Sequence, residues 1–149
     1  MKMPEALFAI INPTMSLLLR SPIHSLWSKS LMLITFKGRK SGKSFTTPVR
    51  YKQDNDVIRC FSVSQNQWWR NFRDGAEVVL RVKGKDSSYK AIAIENQPEE
   101  IKKWLVIYLG KFPQDAAYQD IKLNKDKTLV EEDLERATHN AIVVEAHPA

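Results

Sequence analysis

In the stretch FKGRKSGKSFTTPV, residues 36–49, four cations (Lys37, Arg39, Lys40 and Lys43) surround Gly38 and Gly42, and hydroxyls and Pro48 follow. Cations around glycines suit an anion, because the side chains supply charge and the glycines let backbone N–H groups come close. An ATPase-type phosphate loop needs four residues between its glycines and a helix behind them. Here Gly38 and Gly42 enclose only Arg39, Lys40 and Ser41, and residues 44–51 are rich in threonine, aromatic and β-branched residues that favour a strand. The pattern is a strand, a cationic tip and a second strand.

Other chemistry is thin. His24, His139 and His147 are far apart, without the His-Glu-x-x-His spacing, so no metal centre is expected. The single cysteine, Cys60, lies in an alternating strand-like run and reads as a packed side chain; one cysteine also excludes an internal disulfide framework. No Ser-His-Asp arrangement stands out in sequence order.

At 149 residues the chain reads as one domain, 1–149, with 43% hydrophobic and 27% charged residues as in soluble globular proteins. Its net charge of +6 is unevenly placed: residues 1–90 carry 16 Lys/Arg against 6 Asp/Glu, and the remainder carries 7 against 11. Such a field draws anions to one part of the molecule without naming them. A reduced, cytoplasmic setting fits the cysteine usage.

The elements that must position the tip can be read in order. Residues 1–29 are expected to form an N-terminal helical segment, two short helices bent at Pro13 and Pro22. This segment is expected either to cap the core or to lie in a lipid interface, giving peripheral membrane association; its apolar run is too short to span a bilayer, and no small-residue cleavage site follows it, so a signal peptide is not expected. Strands are expected at 31–36, 45–52, 57–63, 78–83, 89–95 and 141–145, with turns at 53–56 and 84–86. Short helices are expected at 68–75, 98–109 and 129–137, the second showing Pro98 near its start and Ile101, Trp104, Leu105 and Tyr108 on one face. Together they predict an α+β fold, a barrel-like sheet of about six mainly antiparallel strands with peripheral helices.

The runs NPTMSLLLRSPIHSLWSKSLMLITFKGRKSGKSFTTPVRY and WWRNFRDGAEVVLRVKGK, taken in that order, resemble the deazaflavin-dependent nitroreductase family of split β-barrels over residues 12–144. The resemblance implies an oxidoreductase that passes a hydride from reduced 8-hydroxy-5-deazaflavin, coenzyme F-420, to a quinone, nitro-aromatic or other conjugated acceptor. It implies that Arg39, Lys40 and Lys43 hold the coenzyme's phosphate and acidic tail. Ser41 and Thr46 would add hydroxyl donors, Gly42 close backbone approach, and Pro48 completes that motif. Ser62, Val63 and Ser64 would face the ring's polar edge, and Trp68, Trp69 and Asn71 would border it, one tryptophan packing inward while the other lines a pocket. Tyr118 would orient or protonate the acceptor.

The chain also departs from the family's better-known members. It has only Gln65, Asn66 and Gln67 where they carry a longer glycine-rich loop, Ile121 in place of an aromatic, and an acidic insert near 127–138. Two further readings stay open: an FMN-dependent reductase of the same fold, and a non-catalytic carrier of a flavin, tetrapyrrole or fatty acid. Nucleic acid is not expected, since the tryptophans cluster on a helix and not across an exposed sheet face. A homodimer would suit a split barrel, but no residue demands one.

Overall fold

A computed structural model describes residues 31–149; the expected helical segment 1–29 and its membrane contact lie outside the described residues. Seven strands form one antiparallel sheet: β1 (Leu31–Lys37), β2 (Ser44–Arg50), β3 (Lys52–Asp54), β4 (Val57–Val63), β5 (Ala76–Val82), β6 (Lys85–Ile94) and β7 (Ala141–Pro148). Their order is β2-β1-β5-β6-β7-β4-β3, and the sheet curls until β2 approaches β4, which makes the half-closed barrel.

Period-two alternation decides what fills it. Met32, Ile34 and Phe36 of β1, Ile58 and Cys60 of β4, Val78 and Leu80 of β5, and Ile142, Val144 and Ala146 of β7 point into the barrel. Val143 of β7 points the other way. With Ile94 it joins a second core under α1 (Pro98–Lys111) and α2 (Glu131–Thr138), built from Ile101, Leu105, Tyr108, Leu109, Leu134 and Ala137. β7 is therefore buried on both faces, as its unbroken AIVV run requires.

The structure alters three expectations. The expected strand 45–52 breaks at Tyr51, so that the three-residue β3 is a separate, seventh strand. The turn expected at 84–86 is tighter: only Lys83 and Gly84 connect β5 to β6, with φ of 51° and 79°, the paired positive values of a two-residue hairpin turn. The helix expected at 68–75 is a 3-10 helix of five residues, Trp68–Phe72, and a second, unexpected 3-10 helix covers Pro113–Gln119.

Cys60 is buried among barrel side chains, and that burial pushes its thiol up to about 12. Only thiolate attacks a disulfide reagent at a useful rate. Native protein at pH 8 is therefore expected to leave Cys60 unreactive for hours while urea-unfolded protein reacts fully; rapid labelling of the native form would show that the barrel opens there.

Candidate active site

The cationic tip is closed by its own backbone. Gly42 N–H donates to the Gly38 carbonyl at 2.9 Å, Gly38 N–H to the Lys43 carbonyl at 2.8 Å, and Lys43 N–H to the Ser41 hydroxyl at 3.2 Å. Gly42 takes φ of 69°, which favours glycine, and a Cβ on Gly38 would come within 2.9 Å of the Phe45 ring. Both glycines are thus needed for the turn itself.

Beside the turn lies a cavity of about 390 Å³. Gly38, Arg39, Lys40 and Ser41 form one wall, and Phe36, Phe45 and Trp68 form an aromatic one, with Gln67 and Asn71 between them. Phe36 and Phe45 are cross-strand partners in the β1–β2 ladder, and the Phe36 ring lies 6.2 Å from that of Trp68. The combination is an anion-attracting rim joined to a flat apolar wall.

Charge is left available at that rim. Among the described residues no carboxylate pairs with Lys37, Arg39, Lys40 or Lys43, whereas Arg50, Arg59, Arg73 and Arg81 pair with Asp115, Glu145, Glu95 and Asp86. The exposed Arg39 guanidinium has one long contact, 3.5 Å, to the Gln67 carbonyl.

The residues expected at the site divide. Arg39, Lys40, Ser41, Trp68 and Asn71 are in the cavity wall. Gly42 and Lys43 belong to the turn but not to that wall. Thr46 shares its hydroxyl with Thr35 at 2.8 Å on the face of β2 opposite Phe45, and Pro48 sits opposite Leu33 in the ladder. Trp68 and Trp69 are both buried; Trp69 is 1% exposed, donates its indole N–H to the Val63 carbonyl at 3.0 Å and does not reach the cavity. Ser64 turns toward Asn140, bonding its backbone through its own N–H at 2.8 Å and its side chain through its hydroxyl.

Ser62 and Tyr118 meet behind Trp68. The fully buried Ser62 hydroxyl accepts the Trp68 indole N–H at 3.0 Å and the Asn66 amide at 3.3 Å, and the same Asn66 amide donates to the Tyr118 phenol oxygen at 2.8 Å. Burial raises the Tyr118 phenol above its ordinary value, against the opposing pull of its bonds with Ser62 and Asn66. It therefore holds its proton at neutral pH. Tyr118 is not in the cavity wall; these hydrogen bonds connect it to that wall through Asn66, Ser62 and Trp68. Phe36, Phe45, Gln67 and Asn66 escaped the sequence reading; the two phenylalanines could have been found by pairing the hairpin outward from its glycines.

A second hollow, of about 690 Å³, lies between the Pro113–Gln119 helix and α2 and is lined by residues including Ile121, Leu123 and Arg136. Among the described residues no three His, Cys, Asp or Glu side chains gather in a way that could hold a metal ion, and no helix is long and apolar enough to cross a membrane.

Residues 20–130 match the family of F420H2-dependent quinone reductases. No curated protein matches the chain. Among solved structures, an F420-H2 dependent reductase (FDR-A) superposes with a TM-score of 0.50 at 19% identity, over 78% of this chain and 94% of its own. A protein solved as a domain-swapped dimer gives 0.52 at 18% identity, over 89% of this chain and 99% of its own. A protein of unknown function from Agrobacterium tumefaciens gives 0.53 at 13% identity, over 94% of this chain and 58% of its own. These likenesses establish the split-barrel fold, and the family match across the cationic turn, the cavity and Tyr118 establishes more: the chain belongs to the F420H2-dependent quinone reductase family, oxidoreductases whose cofactor is reduced coenzyme F-420.

Proposed function

We propose that this protein reduces a quinone, the cationic turn holding the acidic end of coenzyme F-420 and the aromatic wall carrying flat conjugated rings. The carrying observation is the juxtaposition of cations on residues 37–43, none of which pairs with a carboxylate among the described residues, with a cavity walled by Phe36, Phe45 and Trp68. The residues fit the group. Its phosphate and carboxylates match Arg39 and Lys40, with Arg39 offering a donor fork suited to phosphate oxygens. The cavity of about 390 Å³ also falls in the roughly 300–1,000 Å³ range of small-molecule sites. When bound, reduced F-420 supplies a hydride. The chain's share is to hold both rings in register and to exclude water.

In this reading Arg39, Lys40 and the Ser41 hydroxyl grip the coenzyme, with Gly42 shaping the turn and Lys43 adding long-range attraction. Tyr118 stands one layer behind the wall and helps to orient it, joined to Trp68 through Asn66 and Ser62. Ser62 and Asn66 fix its oxygen, and its burial keeps it protonated. Thr46, Pro48, Val63, Ser64 and Trp69 support the walls from behind. Quinone is preferred to a nitro-aromatic because the family match bears that description.

Titration with F-420 and with FMN, followed by mixing of reduced F-420, protein and a soluble benzoquinone, tests the proposal. We expect saturable binding of F-420, no competition from equimolar FMN, and oxidation of reduced F-420 that depends on both protein and quinone. Oxidation no faster than in buffer would remove the quinone reductase reading, and failure of F-420 to bind would remove the site as well.

A further inference from the structure

The turn's backbone closures lie within residues 38–43 and the β1–β2 ladder holds its base at Lys37 and Ser44, so these bonds shape the turn without tying its tip to the Trp68–Phe72 helix. Its short link outward is Asn71. The Asn71 side-chain oxygen accepts the Arg39 backbone N–H at 2.7 Å, across 32 residues of sequence, and its amide nitrogen donates to the Trp68 carbonyl at 2.7 Å. Both ends of the carboxamide are committed. A flipped amide would set N–H against N–H and oxygen against oxygen, so the two partners determine its orientation. Asn71 thus ties the cationic rim to the residue that forms the aromatic wall, and it lines the cavity between them.

A second consequence concerns the backbone. With the Arg39 N–H taken by Asn71, the Gly38 and Gly42 N–H groups used inside the turn and that of Lys43 on Ser41, the N–H groups of Lys40 and Ser41 have no partner among the described residues. Adjacent free N–H groups beside cationic side chains make an oxyanion seat.

We infer that Asn71 is a positioning residue for the coenzyme's anionic group: it anchors the 38–43 turn against Trp68 so that the Lys40 and Ser41 N–H groups and the Arg39 and Lys40 side chains serve one anion. This inference rests on the proposed coenzyme site. The carboxamide is also required to be neutral. An aspartate would keep the acceptor for Arg39 but would lose the donor to Trp68 and put a negative charge in the wall that receives an anion.

Equilibrium dialysis of F-420 against wild type, Asn71→Ala and Asn71→Asp, with steady-state kinetics, tests it. Asn71→Ala is expected to raise the coenzyme Kd about fivefold, the effect of one ordinary hydrogen bond. Its kcat at saturating coenzyme and its KM for quinone should stay within twofold, a split that general loosening of the fold would not give. Asn71→Asp should bind more weakly still, and its deficit should grow as salt is lowered, because repulsion is then less screened. Should Asn71→Ala fail to fold, the Asn71→Asp comparison decides alone. Wild-type binding with both variants, or the folded one, within twofold of it would overturn the role of Asn71 alone, whereas no binding by wild type would overturn the proposed site and, with it, this role.

Discussion

Replacing Arg39 and Lys40 together by alanine is expected to weaken coenzyme F-420 binding by about a hundredfold. Hydrogen bonds to charged groups contribute about 1.5–3 kcal/mol each, and every 1.4 kcal/mol is a factor of ten, so two such contacts at the low end give this loss. Both residues line the cavity wall, and neither is neutralised by a carboxylate among the described residues. Among the described residues neither side chain therefore has to leave a carboxylate before it meets a ligand; Arg39 gives up only its long contact with the Gln67 carbonyl. In the proposed site they meet the coenzyme's remote anionic end, so kcat at saturating coenzyme should change little while KM for coenzyme carries the loss. The salt dependence of binding should also flatten. Lys43→Ala is the internal control. Its residue sits at the end of the turn but outside the cavity wall, so its effect should be no more than about threefold, the scale of one exposed, screened charge. Titrations at several salt concentrations check all three variants. Equal losses from Lys43→Ala and from the double variant would mean that the turn acts as a diffuse positive patch and not as a built site.

The turn itself was readable because it is local. Gly38 and Gly42, with three residues between them, and the cations around them define a hairpin tip from composition alone, and the family resemblance gave it a ligand. What lay out of reach was which cations face the cavity. That depends on where the turn stands relative to the Trp68–Phe72 helix, fixed by a bond between residues 32 apart in sequence. The same distance hid Asn66, whose partner Tyr118 is 52 residues away. Thr46 shows a different limit. Strand alternation places it opposite Phe45, which was derivable, but the choice of the interior face rests on the curl of the whole sheet. The Pro113–Gln119 helix did carry a signal, since Pro113 and Asp115 repeat at its start the proline-and-acid pattern that made α1 legible. It was missed because the surrounding segment is polar and its buried positions, Ala116 and Gln119, lack the apolar bulk that betrays a helix face.

Trp69→Ala should have the largest effect on stability, a loss of about 4 kcal/mol by analogy with other buried aromatic truncations. Trp69 is 1% exposed inside the barrel, its N–H is bonded to the Val63 carbonyl, and the Arg70 and Arg73 guanidinium groups lie 5.3 and 5.1 Å from its ring centre. Alanine would leave a void between strands that cannot collapse onto it without moving the β4 end that carries Ser62 and Val63. Trp69→Phe separates packing from hydrogen bonding. The Val63 carbonyl also accepts the Asn66 N–H at 3.1 Å, so the loss of the indole donor leaves no buried oxygen without a partner. The phenylalanine variant should therefore lose only about 1–2 kcal/mol, within the range of a modest volume change and one hydrogen bond. Urea unfolding with an unchanged slope would report both values. The folded phenylalanine variant should also bind coenzyme as wild type does, because Trp69 supports the site from behind while Trp68 forms its wall. A large affinity loss in that variant, with stability nearly intact, would instead put Trp69 in direct contact with the coenzyme.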